Sequence, residues 1–161
     1  MSHNPPSAPD LAARIIDHKA GTTALHQAAE AGTLQNLCGV TAELLATVKD
    51  NYGQTPLHDA AHYGHLDQIP GVTADLLATV KDYDGRTPLH HAAENGHLDQ
   101  ILGVTAEFLA TVKDNADRTP LDHAAREGHL DQIPGVTAAF LATVKDSDLS
   151  KLAQSQFPQF G

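Results

Sequence analysis

The stretch Gly53-Gln54-Thr55-Pro56-Leu57-His58-Asp59-Ala60-Ala61-His62-Tyr63-Gly64-His65-Leu66 decides the architecture, because it returns. Thr-Pro-Leu-His stands at 55–58 and at 87–90, Thr-Ala-Leu-His at 23–26 and Thr-Pro-Leu-Asp at 119–122, a step of 32 residues each time. Gly32, Gly64, Gly96 and Gly128 keep that step, as do four Gly-Val-Thr-Ala segments that begin at Gly39, Gly71, Gly103 and Gly135. Residues 51–82 and 83–114 agree at 23 of 32 positions. A fixed period of this length marks a tandem array, in which each unit buries its apolar face against its neighbours and at least three units are needed for stability.

Each unit reads locally. Thr55 N-caps a helix, with Pro56 at the first helical position, where its missing N–H costs nothing. Leu57, Ala60 and Ala61 form an apolar stripe at helical spacing, small enough for neighbouring helices to approach closely. Gly64 stops the helix. His65 to Ile69 begins a further turn, which Pro70-Gly71 breaks. Thr73 then caps a short helix over 74–79, with Leu76, Leu77 and Val80 facing inward. Asp84-Gly85 makes the turn into the next unit.

The run Gly-x-Thr-Pro-Leu-His-x-Ala-Ala-x-x-Gly-His-Leu, clearest at 53–66 and 85–98, resembles the ankyrin repeat. The resemblance covers about 18–146. It implies an all-α solenoid of antiparallel helix pairs, with hairpin-like loops at right angles and a concave face that binds protein. The period of 32 residues replaces the family's usual 33, and an interrupted outer helix is expected, as in a bacterial-type variant. Four repeats are expected at 19–50, 51–82, 83–114 and 115–146. Half-repeat caps are expected at 10–18 and 147–154, with tails at 1–9 and 155–161. Phe157 and Phe160 either fold back on the stack or meet a partner.

Composition narrows the function. Of 161 residues, 20 are acidic and 10 basic, giving a formal charge of −10. That argues against nucleic acid or an anionic membrane as partner. No apolar run reaches the length of a membrane span, and no signal peptide is expected at the start. One cysteine, Cys38, excludes an internal disulfide and fits a reducing, cytoplasmic compartment, with secretion as an effector the alternative. Cys38 stands in a column with Pro70, Leu102 and Pro134, so it reads as a packed thiol.

Positions that differ between units are released from building the stack. They concentrate at the hairpin tips and on the inner-helix surface. The candidate protein-binding set is Tyr52, Asp59, His62, Tyr63, Tyr83, Arg86, His91, Glu94, Asn95, Arg118, His123 and Arg126. All three tyrosines of the chain fall in it, and tyrosine supplies large, stiff, amphipathic contact area. The Lys49/81/113/145 column and the Asp50/82/114/146 column beside it read as solvated faces.

The 11 histidines invite a metal or acid–base reading. Six belong to repeat motifs: His26, His58 and His90 to Thr-Pro-Leu-His, and His65, His97 and His129 to Gly-His-Leu. In the family the first set bonds backbone and threonine groups between units. His58 with His62, His90 with Glu94, and His123 with Glu127 have ligand spacing on one helix, but each pair supplies two ligands, and repeat spacing is expected to keep neighbouring pairs apart. No nucleotide-binding, nucleophile-elbow or zinc-protease motif occurs. The expectation is therefore a non-enzymatic interaction module that is a monomer with at most weak self-association, without cofactor or metal. Self-assembly, histidine-based metal binding and an acidic decoy for a basic partner are the alternatives.

Overall fold

The computed structural model describes residues 10, 15–17, 19–137 and 139–140. The expected caps and tails, apart from 10 and 15–17, lie outside these residues, as do Lys145, Asp146, Phe157 and Phe160.

The chain opens with a short antiparallel pairing of β1 (Ile15–Asp17) with β2 (Thr22–Thr23). Four inner helices of eight residues follow at the repeat period: α1 (Ala24–Ala31), α3 (Pro56–Tyr63), α5 (Pro88–Asn95) and α7 (Pro120–Glu127). Between them lie three shorter outer helices: α2 (Ala42–Thr47), α4 (Ala74–Thr79) and α6 (Ala106–Leu109). Each inner helix packs on the next, so α1, α3, α5 and α7 form a stack. The described residues form a helical repeat solenoid, as the sequence period implies.

The helix limits follow from named residues. Thr55 and Pro56 start α3. Gly64 ends it in the left-handed region, at φ 80°, and its N–H bonds the carbonyl of Ala60. The expected interruption of the outer helix is present. Leu66–Gln68 forms one 3₁₀ turn, Pro70-Gly71 follows, and Thr73 Oγ1 then accepts from the Leu76 amide at 3.2 Å to start α4. Equivalent 3₁₀ turns lie at Leu34–Asn36, Leu98–Gln100 and Leu130–Gln132.

One apolar core runs through the units. Leu25, Leu57, Leu89 and Leu121 are fully buried, as are Leu45, Leu77 and Leu109 of the outer helices. Alanine pairs such as Ala60-Ala61 and Ala92-Ala93 line the contacts between inner helices, and their small size permits the close approach. Cys38 does not join this core. It is exposed, contrary to the packed thiol that its column suggested. The column lies where the chain turns between the 3₁₀ turn and the outer helix, and Leu102 in the same column is 90% exposed.

Candidate functional site

The hairpins are built on aspartates. Asp50 Oδ1 accepts from the amides of Tyr52 and Gln54, both at 2.9 Å. Asp82 does the same for Asp84 and Arg86, and Asp114 for Ala116 and Arg118. This corrects the reading of the aspartate column as a solvated face. Asp82 and Asp114 are buried, because a carboxylate that closes a tight turn must sit beneath it. Lys49, Lys81 and Lys113 of the neighbouring column are exposed, with Lys49 Nζ donating to the Lys81 carbonyl and Lys81 Nζ to that of Lys113.

The motif histidines staple one unit to the next. His58 Nδ1 accepts from the Thr55 amide at 3.0 Å and meets Thr55 Oγ1 at 3.0 Å. Its Nε2 lies 3.1 Å from the Arg86 carbonyl, one unit on. A carbonyl only accepts, so Nε2 carries the proton and the neutral tautomer is fixed. His26 and His90 repeat the arrangement, reaching the carbonyls of Gln54 and Arg118. Burial pushes His58 and His90 down to about 4. In α7 Asp122 replaces the histidine. It still accepts from the Thr119 amide and hydroxyl, but it has no donor to send onward.

A second histidine column faces the buried aspartates. His91 Nε2 lies 3.7 Å from Asp82 Oδ2, and His123 Nε2 lies 3.6 Å from Asp114 Oδ2. Burial alone would raise Asp82, but the His91 contact and the Arg86 amide outweigh it and hold its carboxyl low. The same column in α3 holds Asp59, and its hairpin aspartate is Asp50. Here two carboxyls meet where the other units pair an acid with an imidazole. Burial, then Asp50 and Glu30, push Asp59 up to about 7. Among the described residues, no donor or cation bonds the Asp59 carboxyl.

Asp59 lines a cavity of about 310 Å³ between α3 and α5. Gln54, His62 and Tyr63 stand on its side, with Arg86, His91 and Glu94 across from it. Arg86 Nη2 and Glu94 Oε2 form an ion pair. Burial tends to raise Glu94, and Arg86 more than reverses it. His62 meets Tyr63 edge-on at 4.7 Å between ring centres. Asn95 Nδ2 donates to the His91 carbonyl at 2.9 Å and lies 3.0 Å from His62 Nδ1, which joins α3 to α5 across the cavity's rim. Arg86 Nε and His91 Nε2 are buried without a hydrogen-bond partner.

Seven of the sequence-selected residues are thus gathered at this cavity or its rim: Asp59, His62, Tyr63, Arg86, His91, Glu94 and Asn95. Tyr52 and Tyr83 are exposed at the hairpin tips, at 61% and 67%, and Tyr63 is exposed at 46%. Arg126 is exposed on α7. His91 and His123, by contrast, are buried beneath the face. Arg118 is tied to Asp114 Oδ2, through Nε at 3.0 Å and Nη2 at 2.9 Å. Sequence reasoning did not select Glu30, Asp50 or Gln54. The signal for Asp50 was the spacing shared by Asp82 with His91 and Asp114 with His123, which in the earlier unit joins Asp50 to Asp59.

Neighbouring units also gather ligand types more closely than the repeat spacing suggested. One ligand atom from each of His90, Asp114 and His123 lies within 4.8 Å of the others, all buried. The hairpin folds under the inner helix and brings its aspartate to both histidines. Their bonding leaves little for a cation. His90 uses both ring nitrogens in the staple, and Arg118 holds the Asp114 oxygen.

Among the described residues no helix is long and apolar enough to cross a membrane. A family model described as ankyrin repeats (3 copies) matches residues 6–72 and 68–134. No curated protein matches the chain.

Proposed function

The chain belongs to the ankyrin repeat family, whose members are generally protein–protein interaction modules, and from that membership we propose that its inner-helix and hairpin face binds one protein partner. The observation that carries this is three exposed tyrosines on one stack, Tyr63 at a polar cavity and Tyr52 and Tyr83 at adjoining hairpin tips. Preorganised helices and stapled hairpins lose little entropy on binding, so the exposed side chains set the affinity. Tyr52, Tyr63 and Tyr83 act as anchors. His62, Glu94, Arg86 and Asn95 supply the polar contacts around the cavity, with His91 in its floor. Arg118, His123 and Arg126 extend the face along the stack. The family is typically non-enzymatic, and we assign the protein no catalytic role.

The test is capture of the partner on immobilised protein, followed by affinity measurement with variants. Tyr63→Ala combined with Tyr83→Ala is expected to weaken the partner by about 1,000-fold, since each anchor of this kind is worth about 2 kcal/mol or more. The melting temperature should move by no more than about 3 °C, because both rings are exposed. Unchanged affinity would remove the tyrosines from the interface.

A further inference from the structure

We infer that the cavity between α3 and α5 receives the neutral side-chain amide of an asparagine or glutamine of the partner. This rests on the groove reading above and adds the chemistry of the guest.

Two donors of the lining residues have nothing to donate to. Arg86 lines the cavity, and its guanidinium spends Nη2 on Glu94, while Nε is buried with no acceptor. A buried donor left unpaired is costly, and an oxygen seated against the guanidinium recovers that cost. His62 supplies the second donor. Asn95 Nδ2 lies 2.9 Å from the His91 carbonyl, and a carbonyl only accepts, so that amide atom is the nitrogen. The same nitrogen lies 3.0 Å from His62 Nδ1, which must therefore accept. The proton of the neutral ring is on Nε2, and no described residue accepts from it.

The acceptors of the lining residues are largely taken. His58 uses both ring nitrogens in its staple, and Glu94 is paired with Arg86. The Asp59 carboxyl is the exception, since it lines the cavity and no described donor bonds it. Gln54 brings both a donor and an acceptor and leaves the balance unchanged. A matching guest accepts from Arg86 and His62 and donates to Asp59. A primary amide does both.

Charge and size make the same choice. Arg86 and Glu94 cancel, and Asp59, pushed up to about 7 chiefly by burial, carries only part of its charge near neutral pH. A carboxylate guest would stand beside Glu94 and Asp59. An ammonium guest would have the part-charged Asp59 to face, with Arg86 beside it. Either would bring in a charge without a full partner, and a neutral guest avoids that cost. The net charge of −10 further opposes a carboxylate at longer range. The cavity of about 310 Å³ is at the small end for ligand pockets, with room for one side chain. The rings of His62 and Tyr63 offer surface to the methylene stem of the guest.

The experiment is an NMR titration of the whole protein at pH 7 with butyramide, butyrate and butylammonium, read at the ring signals of His62 and Tyr63 and at the Arg86 Nε–H signal. Butyramide is expected to shift all of them saturably, and the two charged probes to bind at least about tenfold more weakly, because each brings in an uncompensated charge. Arg86→Gln gives this hairpin position the residue type of Gln54 in the preceding unit, so it should keep the fold, and it should weaken butyramide about tenfold. Asp59→His restores the histidine that the next two units carry in this column, and it should weaken butyramide to a similar degree. Equal or tighter binding of either charged probe, a stationary Arg86 Nε–H signal, or undiminished binding to Arg86→Gln would overturn the assignment. Loss of partner affinity in the tyrosine variant with no butyramide binding would reject this guest and keep the groove. Butyramide binding with partner affinity untouched by the tyrosine variant would reject the groove as partner surface, and with it the partner as the source of the amide.

Discussion

Acidification from pH 7.5 to 4.5 is expected to lower the urea midpoint of unfolding by roughly 1–2 M. The cause lies in the stapling histidines. His58 and His90 are buried, at 1% and 0% exposure, and titrate at about 4 against an ordinary 6.5. The folded state holds them neutral, while the unfolded chain takes up protons through pH 6.5. Their contribution is thus fully present above pH 6.5 and is lost as pH falls toward 4. At pH 4.5 each has lost about 2.5 kcal/mol, by about 1.4 kcal/mol per unit. Asp59 acts in the opposite sense. Its raised carboxyl is protonated more readily in the fold, so acidification relieves a penalty there, smaller than its shift suggests because the group is partly exposed. The net loss is about 3 kcal/mol, a large share of the 5–15 kcal/mol typical of a folded domain. With a urea slope of about 2 kcal/mol per M, that is the stated shift. Coincident midpoints at the two pH values would refute the staple.

Gly64→Ala is expected to lower the melting temperature by roughly 4–16 °C, and Gly103→Ala by only about 2–4 °C. The two glycines have nearly the same backbone, at φ 80° and 81°, so both substitutions carry a left-handed penalty of about 1 kcal/mol. Their surroundings differ. A Cβ at Gly64 would lie 2.9 Å from Cε1 and from Nδ1 of His97, whereas nothing lies within 4 Å at Gly103. Overpacking adds about 1–3 kcal/mol at the first site alone. A melt converts these sums at about 2–4 °C per kcal/mol for a chain of this size. Equal shifts would show that His97 does not hold its unit against Gly64.

This pair also shows what the sequence discloses and why. Gly64 was legible as a helix stop, because a left-handed cap is a local property of the chain. That His97 of the next unit covers it was not, since the contact spans 33 positions and depends on stacking. The same division holds elsewhere. Thr55-Pro56, Pro70-Gly71 and Thr73 fixed the helix limits by local chemistry. Asp82 and Asp114 read as surface charges, because only the folded hairpin reveals what their oxygens bond. His91 and His123 read as exposed, because helical spacing alone cannot show that the hairpin folds over them. For the candidate site, the columns identified the residues that vary, and seven of them meet at one cavity or its rim. The raised Asp59 carboxyl depends, besides burial, on Asp50 and Glu30, from a hairpin and a neighbouring helix that the columns did not select.

The proposal that the inner-helix face is the binding surface is tested most directly by hydrogen–deuterium exchange on the protein free and bound to its captured partner. The expected result is protection confined to residues 52–63 and 83–95, with the outer segments 66–79 and 98–109 unchanged. Protection of the outer segments, with the inner face unaffected, would contradict it.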